Sequence, residues 1–455
     1  MHFKNRTSHS FILFVLLIII ALISPPLSAA QNPKVGKSCG LYSKDVIRKN
    51  GVFTCVNTRD GLKWKFLTKK KMKQLPNPIP LAPTTTLSDS TRLSEAKNCQ
   101  TRSQVNSRIS QGFPRSEETK IVNGQFNLIA IKVKFKDFPE SAGTEIRVRQ
   151  IFKDSREFYS KISFGLLELK WEVSEKTYDL GVPVTNYYSA SRQVNLSKLI
   201  QDSVTMADAD VDFSKFEGVV VALPADIKES IAGVSPAMVG GNLTNNENRK
   251  LSRGTVLAGD AYRIGEPILS HEIGHLIGLP DYYSFAGGSS QTAQFEFMGV
   301  FDYMNYAPGK GREPLAWNRW LLSFIDDSRV LCLSNLSGDI TQLITPVARS
   351  QGIFKLAVIP LTESTSIGIE SRRIEGFDSA LQTPGNSGGL LVYFIDGSIG
   401  SGYGPIRIIR PTKSKDPLFQ DALLGVNESV TYENYIITNV ESGEWGDVVR
   451  VSKTK

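Results

Sequence analysis

His271-Glu272-Ile273-Gly274-His275-Leu276-Ile277-Gly278-Leu279-Pro280-Asp281 is the stretch on which the reading of this chain turns. Two histidines four residues apart share one face of an α-helix, so two imidazole nitrogens can reach a single metal ion. Zinc takes such nitrogens at about 2.0–2.1 Å. Glu272 is offset from the pair and reaches the open coordination position, where a carboxylate accepts the proton of an attacking water. Leu269, Ile273 and Leu276 fall on the opposite side and are expected to pack against a sheet. Pro267 suits a first helical turn, where its missing N–H costs nothing.

A His-Glu-x-x-His string also occurs on ordinary surface helices, and composition separates the two cases. The chain has 4 His, of which His2 and His9 lie in an N-terminal targeting segment, so both others sit in this motif. With no third histidine available, an acidic residue must complete the metal set. Gly278 can adopt backbone angles closed to other residues, letting the chain leave the helix sharply and return toward the metal. Asp281 then falls where an extended zinc motif places its third ligand. The rival is Glu296, as in peptidases that take this ligand from a second helix. Gly287, Gly288, Ser289 and Ser290 before it do not read as a long helix, which favours Asp281.

The 455 residues suffice for roughly two or three domains. A hydrophobic share of 41% and a charged share of 22% are those of a globular protein. The net charge is +8, with a local excess at Lys69, Lys70, Lys71 and Lys73. Such a run can hold an anionic cell-surface polymer, although a solvated linker is the more ordinary reading. No motif points to nucleic acid, and no stable protein partner is expected.

Residues 1–30 read as a signal peptide. Lys4 and Arg6 give a positive start, Phe11 to Ile23 is apolar throughout, and Ser28-Ala29-Ala30 follows Pro25 and Pro26. The apolar run falls short of the ~20 residues of a spanning helix. Secretion is therefore expected, with an uncleaved anchor as the alternative. Export makes Cys39, Cys55, Cys99 and Cys332 candidates for disulfides. Cys39 with Cys55 is favoured, because the small module around them has little other core, and this leaves Cys99 for Cys332. The alternative for Cys99 is a free thiolate capping the zinc in a latent form. Asn195, Asn242, Asn335 and Asn427 stand in glycosylation-type triplets. Calcium suits a secreted peptidase, yet no loop identifies a Ca2+ site.

Organisation follows from composition. Residues 31–68 form a small basic Cys-pair module with Trp64, and residues 69–120 are basic, then rich in Pro, Thr and Ser, which reads as a linker or pro-segment. From Asn127 the pattern changes. Ile129, Ile131, Val133 and Phe135 alternate with Ala130, Lys132, Lys134 and Lys136, a strand with one wet face. Helices are expected over residues 144–162 and Val194 to Met206, and strands over Leu166 to Val173 and Val219 to Leu223. Strands alternating with helices make residues 121–330 an α/β layer leading into the His-bearing helix. Residues 331–455 read as a mostly β C-terminal domain of short strands, notably Gly389 to Ile395 and Val430 to Ile437.

The motif and its continuation through Tyr282-Tyr283 resemble the zinc signature of the immune inhibitor A family of secreted bacterial metallopeptidases, metzincin-like enzymes with an Asp third ligand. Val133-Lys134-Phe135-Lys136-Asp137-Phe138 and Ser163-Phe164-Gly165 are similar to segments of that family. Phe301-Asp302-Tyr303-Met304 resembles its methionine turn, and Glu370-Ser371-Arg372 with Gly376-Phe377-Asp378 its post-catalytic region. The likeness covers roughly residues 125–400 and leaves the Cys-pair module outside. It implies an α+β zinc-peptidase fold, with a mixed sheet and the metal between two lobes, and one catalytic Zn2+ held by His271, His275 and Asp281. It also implies endopeptidase activity on proteins or peptides with Glu272 as base, a structural Met304, and Tyr306 where some metzincins place a tyrosine that steadies the oxyanion.

Two other chemistries compete. Gly385-Asn386-Ser387-Gly388-Gly389 resembles the nucleophile loop of serine peptidases, but that chemistry needs a histidine base and both mature histidines are committed elsewhere, so a Gly-rich turn is preferred. A secreted, non-catalytic binding or adhesion protein on a zinc-peptidase fold is the alternative of a different class. The intact Glu272 stands against it.

Overall fold

Three short strands, Val46–Arg48 (β1), Gly51–Thr58 (β2) and Gly61–Thr68 (β3), pair antiparallel in the order β1-β2-β3, with Cys55 opposite Trp64 in register. They belong to an N-terminal unit, Met1–Ile79, distinct from a second unit, Pro80–Lys455. This computed structural model describes residues 46–48, 51–58, 61–68, 82–89, 94–121, 124–191, 193–244, 250–288, 290–381 and 388–454. The targeting segment, Cys39, the lysine run at 69–73 and the serine of the Gly385–Gly389 loop lie outside them.

In the second unit the period-two stretch forms Gln125–Lys134 (β4), an interior strand of a five-stranded mixed sheet. It lies parallel to Glu168–Asp179 (β5) and to Gly218–Ala222 (β6). The sheet continues through Lys250–Leu257 (β8), parallel to β6, and ends on Ala237–Thr244 (β7), an antiparallel edge. The expected wet face of β4 is in fact covered. Ile129, Ile131, Val133 and Phe135 enter one core with Leu199, Ile200 and Val204 of helix Leu196–Ala207, while Phe126, Leu128 and Ala130 enter another with Val148, Ile151 and Phe152 of helix Thr144–Ile162. An interior strand with helices on both faces has no solvated side. Lys132 is accordingly buried and pairs with Glu145 at 2.7 Å.

We number the helices α1 (Thr144–Ile162), α2 (Leu196–Ala207), α3 (Gly259–Ile264), α4 (Glu266–Leu276), α5 (Gln291–Gln294) and α6 (Ala316–Leu321). Asn195 caps α2 by accepting the Lys198 N–H, which commits the side chain of one glycosylation-type triplet. Among the described residues, no helix is long and apolar enough to cross a membrane.

The C-terminal part is mostly strand, as expected. Val330–Cys332 (β9), Leu356–Pro360 (β11), Thr365–Arg373 (β12), Gly388–Asp396 (β13) and Ile406–Ile408 (β14) make one sheet. Ile340–Ile344 (β10), Ser429–Tyr432 (β15), Tyr435–Gly443 (β16) and Gly446–Lys453 (β17) make another. The single strand expected at Val430 to Ile437 is a hairpin, reversed through Glu433 at φ 49°. The two sheets share a core of Ile359, Ile367, Val392, Ile437 and Val449. The boundary expected near residue 330 is no break in packing, because Leu391 and Tyr393 share a core cluster with Leu269 and Ile273 of α4.

Residues 94–121, expected as part of a linker, are built into this unit. Cys99, Thr101, Gln111 and Thr119 are buried, and Cys99 is disulfide-bonded to Cys332 with 2.06 Å between sulfurs. The bond overturns the idea of a Cys99 thiolate at the metal, since a disulfide sulfur carries no thiolate. Replacing both cysteines by alanine should cost about 5 kcal/mol, because the sequence separation is 233 and long loops gain most in the chain-entropy account. Denaturant unfolding of the two proteins measures this, and a loss below about 1 kcal/mol would mean that packing alone retains the segment.

Candidate metal centre

Helix α4 begins after Gly265, with Pro267 in its first turn, and buries Leu269, Ile273 and Leu276 completely, as their spacing requires. Each such side chain contributes about 1.5–3 kcal/mol by leaving water. The opposite face carries His271, Glu272 and His275, all buried at the floor of a cleft. Gly274 is needed for a different reason. A Cβ there would lie 2.3 Å from Met304 Sδ, so the turn at residues 302–305 packs directly beneath the helix.

The helix stops where expected. Gly278 has φ +103°, and its N–H and that of Leu279 bond back to the carbonyls of His275 and Gly274 at 2.9 Å each. The chain then returns and places Asp281 Oδ1 3.1 Å from His271 Nε2 and 3.1 Å from His275 Nε2. His271 Nδ1 lies 3.0 Å from the Tyr303 carbonyl and His275 Nδ1 2.8 Å from the Leu279 carbonyl. A carbonyl only accepts, so each Nδ1 carries a proton, and each Nε2 is the ring nitrogen turned toward Asp281.

This donor set could hold a metal ion such as zinc. The three ligand atoms lie within 4.8 Å of one another. An ideal tetrahedron with bonds of about 2.0 Å has edges of about 3.3 Å, close to the 3.1 Å between each imidazole nitrogen and the carboxylate oxygen. Glu296 is exposed and outside the group, so the choice between the two acids falls on Asp281.

The electrostatics agree with a cation site. Burial works against the charged form of both imidazoles, yet Asp281 holds their pKa above the usual value. Burial likewise opposes the Asp281 carboxylate, but the two histidines hold it well below the carboxylate range. Glu272 is pushed well above that range, first by burial and then by the nearby Asp281 and Asp260, against the pull of His271 and an N–H bond from Ala237 on edge strand β7. Asp281 is thus the carboxylate of the site held in its charged form, while burial disfavours charge on Glu272.

Two recesses, of about 450 and about 1150 Å³, meet over the floor formed by His271 and Glu272, with Val234, Ser235, Pro236 and Tyr283 on their common wall. Tyr306 lines the larger one, stacked on Phe295 at 4.3 Å with its hydroxyl 3.5 Å from Gln291 Nε2. Met304 is buried. Three contributors were given no role at the site by the sequence. Tyr283, inside the motif's continuation, hydrogen-bonds Asp281 and lies 6.1 Å from the His271 ring. Asn106 to Ile109, from the presumed linker, line the smaller recess. Ser401 reaches Asp281 from the C-terminal sheets.

The fold and site define an α+β protein with a buried two-histidine, one-carboxylate centre able to hold a metal ion. No protein-family model matches the chain, and no curated protein does. The crystal structure of wild type OgpA from Akkermansia muciniphila is similar at 12% identity and a TM-score of 0.28, over 67% of this chain and 96% of that one, a likeness too distant to carry an argument.

Asp281→Asn should weaken zinc binding by at least about 100-fold, more than the loss of an outer-shell partner, whereas Glu296→Gln should leave it unchanged. Chelator competition measures both, and the opposite ranking would return Glu296 as the ligand.

Proposed function

We propose that this chain is a secreted zinc-dependent endopeptidase of the metzincin-like kind, similar to the immune inhibitor A family. The observation that carries the reading is the meeting of His271, His275 and Asp281 around one point with Glu272 beside them on a cleft floor. His271, His275 and Asp281 hold the ion, which when bound supplies Lewis acidity and lowers the pKa of water. Edge strand β7 runs along the cleft beside Glu272, and its N–H groups are suited to align an extended peptide. Glu272, buried on the cleft floor beside the metal ligands, accepts the proton of the attacking water and passes it to the leaving amine. Tyr306 donates to the oxyanion from the wall of the larger recess. The signal-like residues 1–30 and the Cys99–Cys332 bond support export to an oxidising compartment. The basic module would add contact with an anionic surface polymer.

Casein cleavage by the purified mature chain, beside Glu272→Gln with bound zinc quantified in both, tests the reading. The wild type should cleave, while the variant holds zinc and loses most turnover. Two silent proteins that both hold zinc would replace the peptidase by a binding protein on the same fold. Tyr306→Phe should cost about 10²–10³ in kcat if its hydroxyl serves the oxyanion, and a loss below about tenfold excludes that role.

A further inference from the structure

Resting on the metal-site reading above, we infer that Ser401 is a positioning residue for the third metal donor, and that the C-terminal sheets are therefore part of the metal centre. Ser401 stands on the loop between β13 and β14, 120 positions beyond Asp281. Its hydroxyl donates to Asp281 Oδ2 at 2.9 Å and accepts the Asp281 backbone N–H at 2.8 Å. One side chain thus grips both ends of the same residue and fixes its rotamer. Oδ2 is occupied by this bond, while Oδ1 is the oxygen 3.1 Å from both imidazoles. A carboxylate free to rotate would exchange its oxygens, or offer both, and lose the single-oxygen geometry of the three-donor set.

The loop is built to hold that register. Gly402 N–H donates to the Asp281 carbonyl and Phe285 N–H to the Gly402 carbonyl, each at 3.0 Å. Gly402 has φ +78°, and a Cβ on it would lie 2.3 Å from the Phe285 ring, so only glycine permits the approach. At the loop's base, Asp396 N–H bonds to the Pro405 carbonyl, Gly397 N–H to that of Ser364 and Gln104 N–H to that of Gly397, all at 2.8 Å. The loop is tied to the sheet on one side and, through Gln104, to the segment of residues 94–121 on the other. Ser401 itself is only partly buried, so its truncation opens little cavity. A change in metal affinity is then separable from a change in packing.

The test is zinc affinity by chelator competition, with thermal unfolding of the metal-free protein, for the full mature chain and its Ser401→Ala and Ser401→Thr variants. Ser401→Ala should bind zinc about 10–100-fold more weakly, the range for outer-shell partners, with metal-free unfolding unchanged. Ser401→Thr, which keeps a hydroxyl, should recover most of the affinity. Tight wild-type binding beside an unchanged Ser401→Ala overturns the assignment of Ser401 alone. So does a Ser401→Ala loss that follows lowered metal-free stability, or one that threonine fails to restore. A wild type that takes up no zinc overturns the metal reading itself.

Discussion

The Asp281 carboxylate held between two imidazoles is the interaction on which the site depends. A single helix supplies His271 and His275 at no further cost, because their spacing is that of one turn. The third donor requires the chain to reverse within a few residues and deliver a charge to a buried place. The reversal is clamped from outside the helix. Thr119 fills the space a Cβ on Gly278 would need, Ser110 N–H bonds to the Gly278 carbonyl at 3.2 Å, and Arg115 donates to the Ile277 carbonyl at 2.6 Å. All three clamps come from residues 94–121, which explains why a segment of unpromising composition is buried and disulfide-bonded.

A polar chain connects two of the donors behind the cleft. Asp302, at φ 69°, accepts the N–H groups of Met304 and Leu315 and the Asn318 amide, so its carboxylate shapes the turn whose Tyr303 carbonyl orients His271. Asn318 Oδ1 lies 2.8 Å from the Tyr282 hydroxyl and 3.0 Å from Gln111 Nε2. Tyr282 directly follows Asp281. A buried polar network is favourable only when its members are satisfied, and this one reaches across three separate parts of the chain.

What could be read in the sequence was local. The His-bearing helix, its glycine exit and the apolar face at Leu269, Ile273 and Leu276 follow from periodicity and turn chemistry over a dozen residues, and the structure has them where expected. Helix 144–162 was equally legible, although Ile146 is exposed. The wet face assigned to β4 was not, because whether helices cover a strand on both sides is a property of topology. Ser401, Gln111 and Asn106 to Ile109 left no trace either, since serine, glutamine and asparagine in polar stretches are indistinguishable from surface residues until the fold brings them to the cleft. Residues 94–121 were misread for the same reason. Their composition is that of a linker, and their burial depends on partners some two hundred residues away.

Glu370-Ser371-Arg372 and Gly376-Phe377-Asp378 touch neither recess, yet they bear on the donors through charge. Arg372 is fully buried and pairs with Glu370 at 2.5 Å and Asp378 at 2.7 Å, while the equally buried Arg319 pairs with Glu313. Three carboxylates face two guanidiniums, and burial pushes Asp378 up against the pull of Arg372. Removing one member of such a cluster leaves a charge uncompensated, at about 3–5 kcal/mol, so the cluster admits few alternative arrangements. Glu370 accepts the Ala316 N–H at 2.6 Å at the start of α6, and α6 carries Asn318 to Asp302. The placement of His271 is thus transmitted from a charge cluster on β12, through one short helix and one carboxylate, to the carbonyl that orients its ring.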